Sequence, residues 1–190
     1  MRPHRSLEVT SKFAIPTRLP VVVINTGGTL NKCYDPIAGQ LIVSPDEAVI
    51  SRLLESAAPN LDIHLMGLIH KDSLEMTDED RKLIIAAIRT LPGLLQQAPI
   101  IVVHGTDTLH QTATMLDQAN LDHVVVLTGA MRPAELEPRE SALHMGLALG
   151  FLAADPPPGV YVAMHGRVAP YAFLRKNYDQ GVFRPLPMTD

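Results

Sequence analysis

The sequence predicts an α/β fold of three layers, αβα, around a mainly parallel sheet of about five strands, wound in the flavodoxin-like or Rossmann-like manner. Three observations carry this. Five short apolar, β-branched runs recur along the chain, helical segments separate them, and stretches rich in Gly, Thr and Asp follow them. Continuous apolar runs mark strands buried on both faces, and parallel strands need crossover connections, usually helices.

Residues 1–18 are basic and lack the apolar stretch of a secretory signal, so they read as an N-terminal arm, with a single domain over 19–190. LPVVVIN (19–25) is the first strand. After a Gly-rich segment, Ser44, Pro45 and Glu47 read as a capping box that opens a helix in SPDEAVISRLLES. LDIHLMGLI (61–69) is the second strand. Thr77 and Asp80 cap the next helix, whose apolar positions Leu83, Ile84, Ala87, Ile88 and Leu91 follow the 3.6-residue period.

APIIVV (98–103) is the third strand, and Leu109, Ala113 and Leu116 mark the helix face after it. HVVVLTG (123–129) is the fourth strand, SALHMGLALGFLAA a small-residue helix and GVYVAMHG (159–166) the fifth strand. Helices alternating with strands at this spacing imply right-handed crossovers with helices on both faces.

Composition narrows the function. The 190 residues carry 20 acidic and 16 basic side chains, a net charge of −4, with four Tyr, four Phe and no Trp. That balance gives no basic face for nucleic acid. No apolar run reaches the roughly 18 residues that cross a bilayer. The one cysteine, Cys33, cannot form an internal disulfide, which points to a reducing, cytoplasmic setting. Neither G-x-G-x-x-G nor G-x-x-x-x-G-K-[ST] follows a strand, which argues against a nucleotide site.

In an open α/β sheet, ligands bind beyond the carboxyl ends of the strands, and polar residues collect there. The first strand leads into Thr26-Gly27-Gly28-Thr29 and the second into Lys71-Asp72-Ser73. The third leads into His104-Gly105-Thr106-Asp107-Thr108 and the fourth into Thr128-Gly129-Ala130-Met131-Arg132-Pro133; Arg175-Lys176-Asn177 lies beyond the fifth. Glycines let backbone N–H groups approach an anion, while hydroxyls, Asp107 and Lys176 supply a nucleophile, a proton acceptor and charge anchors. TGGT alone is equally a tight turn, and HGTDT alone a helix N-cap. Both at strand ends of one sheet are harder to explain by packing. His104 has no second ligand at metal spacing and reads as a packed, hydrogen-bonded histidine. Arg132 reads as a structural clamp, and spacing by itself leaves Lys176 a surface lysine.

TGGT, Asp72-Ser73 with Met76-Thr77, HGTDT and TGAMRP, in this order, resemble the bacterial-type L-asparaginase/glutaminase family over most of 19–185. The resemblance implies a cofactor-independent, metal-free hydrolase that converts L-asparagine to aspartate and ammonia through a Thr29 acyl-enzyme. Thr106, Asp107 and Lys176 would form a second set, with Lys176 easing deprotonation and Asp107 holding the substrate ammonium. Ser73, beside Asp72, would take the α-carboxylate. Backbone around Gly28, Thr29 and Thr106 would meet the oxyanion, with Gly105 and Ala130 also lining the substrate, and Tyr34, the only tyrosine in the loop after Thr29, would be the catalytic loop tyrosine. Leu74 stands where periplasmic members carry glutamine. The family's smaller C-terminal domain is missing from the pattern, which implies a short form that associates as a homodimer or larger homo-oligomer. A non-catalytic amino-acid-binding module, or a hydrolase of another small amide such as glutamine, is the alternative.

Overall fold

The computed structural model describes residues 18–186. The expected arm at 1–18 therefore lies outside the described residues, except for Arg18. In chain order the first half holds β1 (Leu19–Gly27), β2 (Lys32–Asp35), β3 (Gln40–Val43), α1 (Ala48–Leu54), β4 (Leu61–Lys71) and α2 (Asp78–Arg89). The second half holds β5 (Ile100–Val103), α3 (Leu109–Gln118), β6 (Val124–Thr128), α4 (Pro138–Leu152), β7 (Gly159–Met164), β8 (Arg167–Pro170), β9 (Leu174–Asn177) and β10 (Val182–Pro185).

One six-stranded sheet runs β4-β1-β5-β6-β7-β8. Its first five strands are parallel and β8 pairs antiparallel with β7. Numbered among themselves, the parallel strands stand in the order 2-1-3-4-5. That is the flavodoxin-like arrangement, not the Rossmann one, and the order in which strands are added reverses between β1 and β5.

Strand alternation divides the interior into two cores. Val22, Ile24, Ile100 and Val102 face α2 and α3 through Ile84, Ile88, Leu109, Ala113 and Leu116. Val21, Val23, Ile101 and Val103 face α1 and α4 through Ile50, Leu54, Met145, Ala148 and Leu152. Because side chains on a strand point alternately to opposite faces, an unbroken apolar run is what both cores require.

All five expected strands form. The sixth strand β8 and the separate hairpins β2–β3 and β9–β10 do not follow from the sequence pattern. Each of their strands has four residues, and KCYD, RVAP and LRKN lack the β-branched density that marks the others.

The expected capping box at α1 does not form. The Ser44 N–H donates to the Asn31 carbonyl at 2.8 Å, and the Glu47 carboxylate sits 2.8 Å from His70 Nε2, so neither partner is free. The Ala48 N–H instead donates to Asp46 Oδ1, and the helix begins at Ala48. At α2 the capping box of Thr77 and Asp80 is complete. The Thr77 backbone N–H and the Lys71 ammonium hold the Asp80 carboxyl at about 2. Leu83 is exposed there, because Ile84 and Ile88 centre the buried stripe and Leu83 lies about 100° around the helix from Ile84.

Candidate active site

The loops after β1, β4, β5 and β6 meet above the sheet, and glycines are what allow it. A Cβ on Gly27 would lie 2.5 Å from the Lys71 carbonyl oxygen. One on Gly28 would overlap the N and Cα of Gly105. One on Gly105 would come within 2.5 Å of Ser73 Cβ, and one on Gly129 would overlap the His104 carbonyl oxygen. Gly27 and Gly28 also have φ of 91° and 76°, which side chains rarely adopt. TGGT, the Asp72-Ser73 turn, HGTDT and TGAMRP thus form one backbone-to-backbone assembly. It stands where β1 and β5 flank the reversal of strand order.

Thr29 opens a 3-10 turn after Gly28 and remains partly accessible. Thr106 is buried, and Lys176 Nζ donates to its Oγ1 at 2.9 Å and to Asp107 Oδ1 at 2.6 Å. Lys176 projects from β9, a strand with no place in the main sheet. Sequence spacing therefore gives no account of why it reaches the end of β5. Tyr178, two residues on, donates its hydroxyl to the Asp107 carbonyl at 2.7 Å, and Lys176 Nζ lies 5.2 Å from its ring centroid. Sequence reasoning does not single out Tyr178. Its only signal there is the i, i+2 spacing from Lys176, which places both on one face of a strand. Thr106, Asp107, Lys176, Tyr178, His110 and Phe183 line a cavity of about 100 Å³.

Ser73 is 1% exposed, and its Oγ has no hydrogen-bond partner among the described residues. Thr108 holds the turn by donating to the Ser73 carbonyl at 2.7 Å. Asp72 is engaged in the structure: Lys32 lies 2.8 Å from Oδ2, and Oδ1 accepts the Leu74 N–H. The Lys32 hydrogen bond is the main cause that holds its carboxyl below the usual range. Gly28 N–H donates to the Lys71 carbonyl at 2.9 Å, so it does not face a ligand. Ala130 is fully buried in the core beneath α4. Tyr34 lies on β2 with its side chain largely exposed, and its ring makes no hydrogen bond to Thr29, Thr106 or Lys176.

His104 is fully buried. Its Nδ1–H donates to the Gly105 carbonyl, which leaves Nε2 to accept from the Thr112 hydroxyl at 2.7 Å. Arg81 Nε in turn donates to Thr112 Oγ1. The expected packed, hydrogen-bonded histidine is what stands there. Among the described residues one trio, Glu140, His144 and His165, brings a carboxylate and two imidazoles together as a metal site would. Backbone N–H groups already occupy one lone pair on each ring: His165 N–H donates to His144 Nε2, and Phe183 N–H to His165 Nδ1. The groove of about 470 Å³ between α2 and α3 contains none of the strand-end residues.

Fold and geometry together define a doubly wound α/β protein with a hydrogen-bonded Thr–Asp–Lys cluster at the carboxyl end of its sheet. Residues 20–182 match the family model described as Asparaginase, N-terminal, and the chain belongs to the asparaginase family. It is 31% identical over 167 residues to a probable periplasmic L-asparaginase of Haemophilus influenzae, covering 78% of this chain and 43% of that protein. A shorter stretch of 68 residues is 40% identical to a glutamyl-tRNA(Gln) amidotransferase subunit of Methanococcus maripaludis, covering 35% of this chain and 16% of that one. The thermostable L-asparaginase from Thermococcus kodakarensis superposes with a TM-score of 0.73 at 25% identity, covering 90% of this chain and 52% of that chain. A probable cytoplasmic L-asparaginase from Campylobacter jejuni shares the fold, with a TM-score of 0.68 at 24% identity over 88% of this chain and 52% of that one. The chain therefore spans about half the length, or less, of these relatives.

Burial lowers the His104 pKa to about 4, and the nearby Arg81 cation adds to the effect. The unfolded imidazole titrates near 6.5, so the folded state binds a proton less readily. Its contribution is constant above about pH 6.5 and is lost as pH falls toward 4. At about 1.4 kcal/mol per unit this amounts to about 3 kcal/mol. Urea midpoints should fall between pH 7 and pH 4.5, and His104→Asn should flatten that slope. An unchanged slope in the variant would remove His104 as its source.

Proposed function

We propose that this chain hydrolyses the side-chain amide of L-asparagine through an acyl-enzyme on Thr29. The observation that carries this reading is the contact between TGGT and HGTDT at the reversal of strand order, with Lys176 bonded to Thr106. Thr29 Oγ attacks the amide carbon, and its proton passes to the departing nitrogen, which leaves as ammonia. Water then attacks the ester, releasing aspartate and restoring the Thr29 hydroxyl. The Lys176 ammonium can only donate, so Thr106 Oγ1 accepts from it and the Thr106 hydroxyl proton is free to point at the reacting group. The same cation stabilises negative charge that develops as water or hydroxyl is deprotonated.

Asp107 uses Oδ1 for Lys176, which leaves Oδ2 for the substrate ammonium. The unpaired Ser73 Oγ suits the α-carboxylate. With Gly28 N–H engaged by Lys71, the N–H groups of Thr29 and Thr106 are the oxyanion donors in this account. Glutamine is the competing substrate, since one methylene discriminates by only about 1–3 kcal/mol. The setting we propose is cytoplasmic; among the described residues no helix is long and apolar enough to cross a membrane.

Self-association belongs to the same proposal. Leu143 is exposed on the outer face of α4, beside Gly146 and Gly150, where an added Cβ would meet nothing within 4 Å. Contiguous apolar surface of this kind marks interfaces, and a two-fold dimer is the commonest arrangement. Light scattering at micromolar concentration should give a dimer or larger species; a fully active monomer would exclude it.

Purified protein should release ammonia from asparagine. Rapid mixing followed by intact-mass measurement should show an aspartyl adduct on Thr29, absent from Thr29→Val, which loses nearly all turnover. Lys176→Met should slow turnover by about 10²–10⁴-fold, the usual range for lost proton-transfer assistance. An adduct on Thr106 in the Thr29→Val protein would reverse the roles of the two threonines.

A further inference from the structure

We propose that His165 is a positioning residue whose imidazole clamps the β9–β10 hairpin so that Lys176 meets Thr106. Met164 and Arg167 pair across β7 and β8, leaving His165 and Gly166 as a two-residue turn with φ of 49° and 79°. Positive φ at both central residues is the type I′ hairpin turn, in which Asn-Gly is the preferred pair. Histidine at the first position is therefore not explained by the turn alone.

Its ring explains it. Phe183 N–H donates to His165 Nδ1 at 2.9 Å, His165 N–H donates to His144 Nε2 at 2.8 Å, and His144 Nδ1–H donates to the Gly129 carbonyl at 2.8 Å. Carbonyls only accept and N–H groups only donate, so each tautomer is set: His144 is protonated on Nδ1 and His165 on Nε2. His165 Nε2 then faces Glu140 Oε1 at 3.4 Å, and that oxygen also accepts the Met131 N–H at 3.0 Å. The two rings meet edge to face with centroids 5.1 Å apart. One chain of hydrogen bonds thus runs from β10 to the loop after β6, which packs on HGTDT.

The link to Lys176 is one ladder position long. Phe183 stands directly opposite Lys176 in the β9–β10 pairing, and its N–H turns out of the hairpin to reach His165. A two-stranded hairpin by itself is marginally stable. This one is fastened by burial of Leu174 and Phe183, by the Leu186 N–H bond to the Phe173 carbonyl, by the contacts of Lys176 and Tyr178 with HGTDT, and by the His165 bond. The His165 bond acts on the residue facing Lys176. Losing that acceptor frees the Phe183 N–H and lets Lys176 drift from Thr106.

The kinetic part of the inference rests on the proposed amide hydrolysis; the structural part does not. The test uses the full chain, ¹⁵N-labelled, as wild type, His165→Gly and His165→Asn. Glycine permits the positive φ and keeps the N–H bond to His144 but removes the acceptor. Asparagine suits the turn and offers Oδ1 close to where Nδ1 stands. We expect His165→Gly to lower kcat for asparagine about tenfold or more with KM within about twofold, the mark of a lost chemical-step contribution. Phe183 amide exchange should quicken by about tenfold or more in the same variant. His165→Asn should restore both readouts. A His165→Gly protein with wild-type kcat or wild-type Phe183 protection would overturn the proposal, as would a His165→Asn protein as impaired as His165→Gly. Should wild type release no ammonia, the proposed function fails, and Phe183 exchange alone then decides whether His165 is the clamp.

Discussion

Gly28 and Gly105 bring two loops so close that no side chain fits between them, and the rest of the site is arranged around that contact. With TGGT seated on HGTDT, Thr29 and Thr106 are brought together although they lie far apart in the chain. The same approach sets Ser73 against Gly105 and the Gly129 loop against His104. Four strand ends are locked by backbone contact, whose geometry is stiffer than that of long side chains. Such stiffness suits the proposed amide hydrolysis, which requires the reacting groups to be held within a fraction of an ångström.

Electrostatics complete what the glycines arrange. Lys176 is nearly buried, and its charge is balanced by Asp107 at 2.6 Å. A buried cation needs such a partner. Arg81, also buried, is paired with Asp78 and bonded to Thr112, and on the far side of HGTDT its cation adds to the burial that keeps His104 neutral. The motif is therefore held between two cations. Lys176 touches Thr106, while Arg81, through Thr112, fixes the histidine on which the loop is built. Lys32 and Asp72 close the β4 side in the same way.

The sheet was legible because VVVI, IIVV and VVVL must face two cores at once, and only strands of a parallel sheet covered on both faces meet that demand. The helix α2 was legible because Thr77 and Asp80 sit three residues apart, and the Lys71 ammonium that also bonds the Asp80 carboxylate leaves the capping box intact. At α1 the same kind of signal misled, since Asn31 and His70 engage Ser44 and Glu47 from elsewhere in the fold. The motifs marked Thr29, Ser73, Thr106 and Asp107 correctly as strand-end residues. Lys176 needed the family resemblance, because β9 and β10 are too short and polar to announce themselves. Tyr178 and the His165–His144 chain were out of reach for the same reason: they depend on where that hairpin docks. Tyr34 is close to Thr29 in sequence, yet β2 leaves its side chain exposed.

If glycine-enabled backbone contact assembles the site, one pair of variants reveals it most directly. Gly39, in the β2–β3 turn, has φ of 66° with nothing within 4 Å of an added Cβ, whereas Gly28 has φ of 76° and ψ of −175° with Gly105 in the way. Gly39→Ala should cost about 1–2 kcal/mol from the left-handed conformation alone and keep its turnover. Gly28→Ala adds overpacking of about 1–3 kcal/mol to a strain of similar size, and it pushes Thr29 away from Thr106. Unfolding free energy and ammonia release, measured side by side, should therefore show Gly28→Ala less stable than Gly39→Ala and without activity. A Gly28→Ala protein as stable and as active as Gly39→Ala would contradict the account.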